Sequence, residues 1–344
     1  MSDNVSDEEQ QQQMKEISIC ADVWLEVFAY ISPRELGHLM ALISDRFDVL
    51  VDEHFKLRKW SLGSLQILRG GNGAQIVNLS GEWLPIPQGP LPNKVIGFEE
   101  IWISYVDQTV VEFLQRIRRL FDSSGTTVEI DTSADQSRSW DIIRQKLWPL
   151  INDNICGFRL RDVHLDRLRH FSPAVLHNCA NLRSLWCNGL FPEFPAKDNA
   201  GASSAQAVSK WFFTHRKDGL PKMFCCAHYS AEMEGLKGSF VSASEPANFI
   251  IRFVLDHYGD DFVPFELNNN LTGERLTFRP IGGYWLLVRC PIWREEDKWA
   301  KWEKEPIGWQ WRFQWNYIVI AFEDSNIGDG MLDANDEGPS EPKK

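Results

Sequence analysis

The residues of this chain that could do chemistry are few, and their spacing suits no familiar reaction. Cys225, Cys226 and His228 stand too close together to place ligands as zinc spacings do, so they read as buried thiols. His164, His170 and His177 fall six and seven residues apart on or beside one expected helix, and they read as surface residues rather than a metal site. Gly70-Gly71-Asn72-Gly73 is followed by no Lys-Ser/Thr and lacks dinucleotide spacing, so it reads as a turn and not a phosphate cradle. The chain has no G-x-S-x-G elbow and no H-E-x-x-H pair. The expectation is a protein without catalytic residues, metal or cofactor, which acts by binding. An enzyme whose site gathers residues from distant parts of the chain stays open as an alternative.

Binding residues need elements to present them, and a repeat supplies those. Apolar or small residues recur at offsets of three, five and eight from Leu62, Phe98, Gly125, Ile155, Leu182, Leu220 and Asn248. Most of the intervals match the roughly 20–29 residues of a leucine-rich repeat, which carries one strand per turn. The two long intervals contain a Pro/Gly-rich stretch, 85–92, and a small-residue run, 196–205. Helical patterns lie between the strand cores. In one of them Val110, Phe113, Leu114, Ile117, Leu120 and Phe121 recur at helical spacing. The expected fold is therefore α/β: an irregular leucine-rich-repeat-like α/β solenoid over 59–240. An ordinary α/β layer fold is the alternative. Offsets three and five should point into the core, and offsets four and six outward. That outward set is Trp102 and Ser104, Glu129 and Asp131, Arg159 and Arg161, Trp186 and Asn188, Phe224 and Cys226, Arg252 and Val254. Trp, Phe and Arg are suited to holding a target protein. The acids of one expected strand beside the arginines of the next read equally as a cross-strand ion pair.

From 241 to 323 strand-like runs follow one another, and a β-rich C-terminal cap is expected there. It holds Trp285, Trp293, Trp299, Trp302, Trp309, Trp311 and Trp315. Such a cluster is either core or an aromatic groove for a peptide or glycan.

The N-terminal region, 17–58, is written as three short helices. Ser32 and Glu35 are spaced as a capping box, Pro33 suits a first helical position, and Asp22 and Ser44 suit caps. The first helix is apolar nearly all round, through Val23, Trp24, Leu25, Val27, Phe28, Tyr30 and Ile31, so part of it should face another protein. This order of residues resembles the F-box, the docking segment of substrate receptors in SCF-type ubiquitin ligases. Ile19 stands at the motif's Leu position and Asp22 and Glu26 at its acidic ones, while Pro33, Leu36, Arg46 and Phe47 match in kind. Cys20 replaces the signature proline, and Ser44-Asp45 interrupts the Val-Cys-x-Arg-like stretch. The text at 52–55, 84–92 and 270–274 is similar to an F-box family expanded in plant-parasitic nematodes. The resemblance implies a non-catalytic adaptor. Ile19, Trp24, Leu25, Phe28, Ile31, Pro33 and Leu36 would meet the Skp linker protein, and through it the cullin scaffold. The region beyond would hold an unidentified target for ubiquitin transfer. A repeat scaffold using the segment only as an N-terminal cap is the other reading.

Composition sets the surroundings. The net charge of −12 over 344 residues is concentrated at the ends, since 1–16 and 324–344 each carry −4 and leave −4 for the body. Both ends read as disordered acidic tails. No basic stripe suggests nucleic acid, and no apolar run suggests a membrane. The first residues carry acids and glutamines where a secretion signal needs a basic and then an apolar region. Seven cysteines without a C-x-x-C pair read as reduced thiols, and hence a cytoplasmic or nuclear protein.

Overall fold

The computed structural model describes residues 19–31, 35–122, 125–227, 230–254, 262–308 and 315–331. The chain divides into two compact units, Met1–Trp60 with Pro92–Ile96, and Ser61–Leu91 with Gly97–Lys344.

The first unit contains α1 (Ala21–Phe28), a π-helical turn (Leu36–Met40) and α2 (Asp45–Leu57). Ser44 caps α2 as its position predicts, its hydroxyl accepting from the Phe47 N–H. Asp22 is not a cap. The N-cap of α1 is Cys20, and Asp22 sits in the first turn, where a carboxylate complements the helix dipole. Ser32 and Pro33 lie outside the described residues. Phe28, Leu36 and Val51 form the core, with Trp24, Leu25, Ile31, Phe47 and Phe55 packed round them. Trp24 meets Phe47 edge-on at 4.7 Å.

The second unit is built on one mixed sheet. In chain order its strands are β1 (Ser64–Gly70), β2 (Gly73–Asn78), β3 (Trp83–Pro85), β4 (Glu100–Ile103), β5 (Thr126–Ile130), β6 (Ile155–Arg161) and β7 (Ser184–Asn188). They continue as β8 (Lys222–Ala227), β9 (Phe249–Val254), β10 (Phe265–Asn269), β11 (Glu274–Ile281), β12 (Tyr284–Pro291) and β13 (Tyr317–Ile320). Across the sheet the order is β10-β11-β12-β9-β8-β7-β6-β5-β13-β4-β1-β2-β3. The run from β9 to β1 is parallel throughout, and both flanks are antiparallel. Each of the seven repeat windows holds one strand of the parallel run. The regions 59–240 and 241–323 share this sheet. β9 continues the parallel run, and β13 returns to its middle, between β4 and β5.

Helices fill the connections: α3 (Gln108–Asp122), α4 (Ser137–Ile142) running through a π turn (Ile143–Leu147) into α5 (Trp148–Ile151), α6 (Asp162–Phe171), α7 (Val175–Asn178), α8 (Ser204–Phe212) and α9 (Ser230–Val241). α10 (Glu296–Gly308) follows β12. The apolar stripe of α3 is buried along its whole length, from Val110 to Phe121. On the sheet face beneath the connecting helices, Phe158 stacks on Trp148 and Phe224 meets Phe212 at 6.0 Å.

His170 and His177 are exposed, but His164 is buried, and the surface reading is corrected for that residue. Its ring packs on Trp140, and the Arg161 N–H donates to Nδ1 at 3.3 Å. Burial, reinforced by the Arg161 charge and opposed by Asp131 and Asp162, lowers its pKa to about 4. The unfolded chain therefore takes a proton that the folded chain refuses, and stability present above pH 6.5 is lost as pH falls toward 4. The expected loss at pH 5 is about 2 kcal/mol. Urea denaturation at pH 7.5 and pH 5 checks it, and His164→Gln should flatten the difference between the two.

Candidate functional site: the open face of the sheet

Strand register gathers Trp102, Glu129, Arg159, Trp186 and Arg252 of the expected binding set into one row. Trp83, Val77, Gln66, Trp102, Val319, Glu129, Arg159, Trp186, Cys225, Arg252 and Leu286 follow one another across adjacent strands. Directly paired residues share a face, so all of these project from the side opposite the connecting helices.

The middle of the row is a continuous polar and aromatic ladder. Tyr317 donates its hydroxyl to Glu129. Arg159 Nη1 donates to both Glu129 oxygens, at 2.7 and 2.8 Å. The Arg159 guanidinium lies 5.7 Å from the Trp186 ring, and that of Arg252 lies 5.1 Å from the same ring. Tyr284 takes the other contact of Arg252, also at 5.1 Å. Burial pushes the Glu129 carboxyl above the ordinary range, and Arg159 opposes that shift. The expected ion pair is thus present between Glu129 and Arg159. Asp131 and Arg161 are exposed, and Arg161 turns its guanidinium to His164 at 3.1 Å.

Three members of the expected binding set are corrected. Phe224 is buried, because β8 pairs Phe224 with Leu185 and Cys225 with Trp186. The repeat window there begins one residue later than its apolar pattern suggests, which sends the larger Phe224 ring into the core and Cys225 into the row. Cys226 is buried with it. Arg252 lies on the predicted face but is not open to a target. Its Nη1 donates to the Pro306 carbonyl at 2.8 Å and its Nε to Cys225 Sγ at 3.1 Å. Trp186 is half-buried against Tyr317 and Val319. Trp102 and Arg159 keep substantial exposure, about 37% and 41%.

α10 covers the β9–β12 end of this face, with Trp299, Trp302 and Ile307 packed on Ile250, Leu286 and Val288. Trp299 is therefore core, and Trp302 is partly buried against it. Trp285 stacks on Phe262 at 5.0 Å, Trp293 is almost fully exposed, and Trp309 and Trp311 lie outside the described residues. Toward the other end Ser64, Gln66, Val77, Asn78, Glu100 and Trp102 line an open cleft of about 420 Å³. Sequence reasoning missed Trp83, because β3 is too short for alternation to show, and it missed Val77, because β2 lies outside the repeat windows.

The residues expected to meet a linker protein separate differently. Phe28 and Leu36 are buried and cannot touch a partner. Trp24, Leu25 and Ile31 are half-buried on the same core. Ile19 is exposed, and its carbonyl accepts from Arg46 at 2.5 Å. Pro33 lies outside the described residues. The outward stripe of α1 continues instead through Val23, Val27 and Tyr30, with Tyr30 92% exposed. Leu39, Leu42 and Ile43 are exposed in the same unit. The spacings of four and three from Val23 through Val27 to Tyr30 continue the helical period into the turn past Phe28, a pattern that the sequence already displays.

Among the described residues no group of three or more His, Cys, Asp or Glu is placed to hold a metal ion, and no helix is long and apolar enough to cross a membrane. No family model, no curated protein and no solved structure matches the chain.

Proposed function

We propose that the chain is a non-catalytic substrate receptor of an SCF-type ubiquitin ligase. The helical unit docks on the Skp linker protein, and through it on the cullin scaffold, while the sheet unit holds a target protein. The observation that carries this reading is the pairing of a closed core with an open apolar stripe in the helical unit. Phe28, Leu36 and Val51 satisfy the core, yet Val23, Val27 and Tyr30 remain in solvent at 47%, 40% and 92% exposure. Exposed apolar side chains clustered on so small a unit are the mark of an interaction surface. The linker contact accordingly shifts from Phe28 and Leu36 to Val23, Val27 and Tyr30, with Ile19 at its end. Parallel strands alternating with helices support a leucine-rich-repeat-like solenoid for the sheet unit, with Trp102 and Arg159 as its open target contacts. Buried free thiols at Cys179, Cys187, Cys225, Cys226 and Cys290 favour a reducing compartment, cytoplasmic or nuclear.

Co-purification with a Skp linker protein tests the reading. The wild type should be retained, and a Val27→Asp/Tyr30→Asp variant should lose at least about tenfold in affinity, the equivalent of one good contact. Both substitutions lie outside the core, so circular dichroism should be unchanged. A folded wild type that ignores the linker would leave the repeat-scaffold reading in its place.

A further inference from the structure

The parallel run has one break in its order. From β5 to β9 each strand pairs with its successor in sequence, but β4 and β5, joined by α3, do not pair. β13 lies between them. Tyr317 registers with Glu100 on one side and Thr127 on the other, and Ile320 with Ile103 and Ile130. All four residues of β13 are buried.

The segment that follows is held in the same manner, largely through its own backbone, which corrects the expected disordered tail from 324 onward: residues 324–331 are packed on the sheet unit. The Ala321 N–H donates to the Ile103 carbonyl at 2.9 Å, and the Asp131 N–H to the Ile320 carbonyl at 2.8 Å. Farther along, the Val106 N–H donates to the Asn326 carbonyl, and the Gly328 N–H to the Val106 carbonyl. Arg69 Nη2 donates to the Ser325 carbonyl at 2.9 Å. Two side chains add selectivity. Asp324 Oδ1 accepts from Ser139 N and Oγ, both at 2.8 Å. Asn316, fully buried at φ 54, accepts from the Phe98 N–H at 3.1 Å and donates to the Leu120 and Gly125 carbonyls at 2.8 and 3.3 Å. Asn is among the few residues that tolerate this left-handed backbone.

We propose that the slot between β4 and β5 is a binding site for an extended apolar strand, filled here by the chain's own β13, with residues 321–328 held beyond it. It accepts the same segment when a second copy of the chain supplies it. The recognition is the β-strand-addition mode applied to two edges at once, so it asks for an extended backbone, an amide side chain at the first position and apolar residues facing both sheet surfaces. None of the hydrogen bonds given above for 316–328 depends on the chain being continuous from 308 to 315. Left empty, the slot exposes two rows of unpaired strand groups, a state that favours capture of a strand from elsewhere.

The test replaces residues 309–314 of the full chain with a protease site and cuts the folded protein. The freed C-terminal fragment should co-elute with the body on size exclusion. A labelled peptide of residues 315–331, in excess, should then enter the body as the fragment leaves. An Asn316→Ala peptide should compete at least about tenfold less well, because three buried hydrogen bonds of the amide side chain are lost. Three results would overturn the proposal: a fragment that departs while the body keeps its circular dichroism, a body that aggregates on cutting, or a fragment that never exchanges.

Discussion

Truncating Glu274 to alanine should destabilise the sheet unit by about 3–5 kcal/mol, the cost of leaving a buried charge without its partner. Arg289 and Glu274 are both essentially excluded from solvent. Arg289 Nη2 and Nε reach the same carboxylate oxygen at 2.6 and 3.0 Å. The other oxygen accepts from the Ala247 N–H at 2.9 Å. The guanidinium also lies 5.2–5.9 Å from the rings of Phe213, Phe240 and Phe249. Its Nη1 is buried and has no hydrogen-bond partner among the described residues, and those rings are its compensation. Removing the carboxylate strands a cation among aromatic rings, on a connection between β9, β11 and β12. Urea denaturation of Glu274→Ala checks the loss. The double variant Glu274→Met/Arg289→Met should recover most of it, because two apolar side chains leave no uncompensated charge. A double variant as unstable as the single would assign the effect to lost packing.

Phe28→Ala should destabilise the helical unit by about 3–5 kcal/mol, whereas Tyr30→Ala should change it by less than about 0.5 kcal/mol. Phe28 is fully buried between Trp24, Phe47 and His54, and truncation leaves a cavity in a core with few residues to close it. Tyr30, two positions on, has its ring in solvent. The pair bears on function, since both residues belong to one apolar run, Phe28 closing α1 and Tyr30 in the turn after it. Loss of linker binding in a Phe28 variant would report unfolding, and loss in a Tyr30 variant would report a contact. Far-ultraviolet circular dichroism and denaturation of both variants, run beside the binding assay, separate the two causes.

The periodic features of the chain were legible without coordinates. Strand cores at 65–67, 101–103, 128–130, 158–160 and 185–187, and the buried stripe of α3, are written as local alternation, which nearest neighbours in sequence determine. So are the Ser44 cap and the placement of Glu129 beside Arg159. Long-range choices were not legible. The apolar pattern around Leu220 fits two registers one residue apart, and only pairing with β7 selects the one that buries Phe224. α1 is apolar nearly all round, so only packing against α2 decides that Phe28 is core and Tyr30 is surface. His164 looks like any helical histidine until Trp140 closes over it. The position of β13 depends on pairing across almost two hundred residues, from Ile130 to Ile320, and no local pattern carries information over that span. Local sequence thus determined which segments are strands and helices and which faces are apolar. Tertiary structure alone decided which apolar face meets its own chain and which stays in solvent, because burial is a property of the neighbours a residue acquires and not of its type.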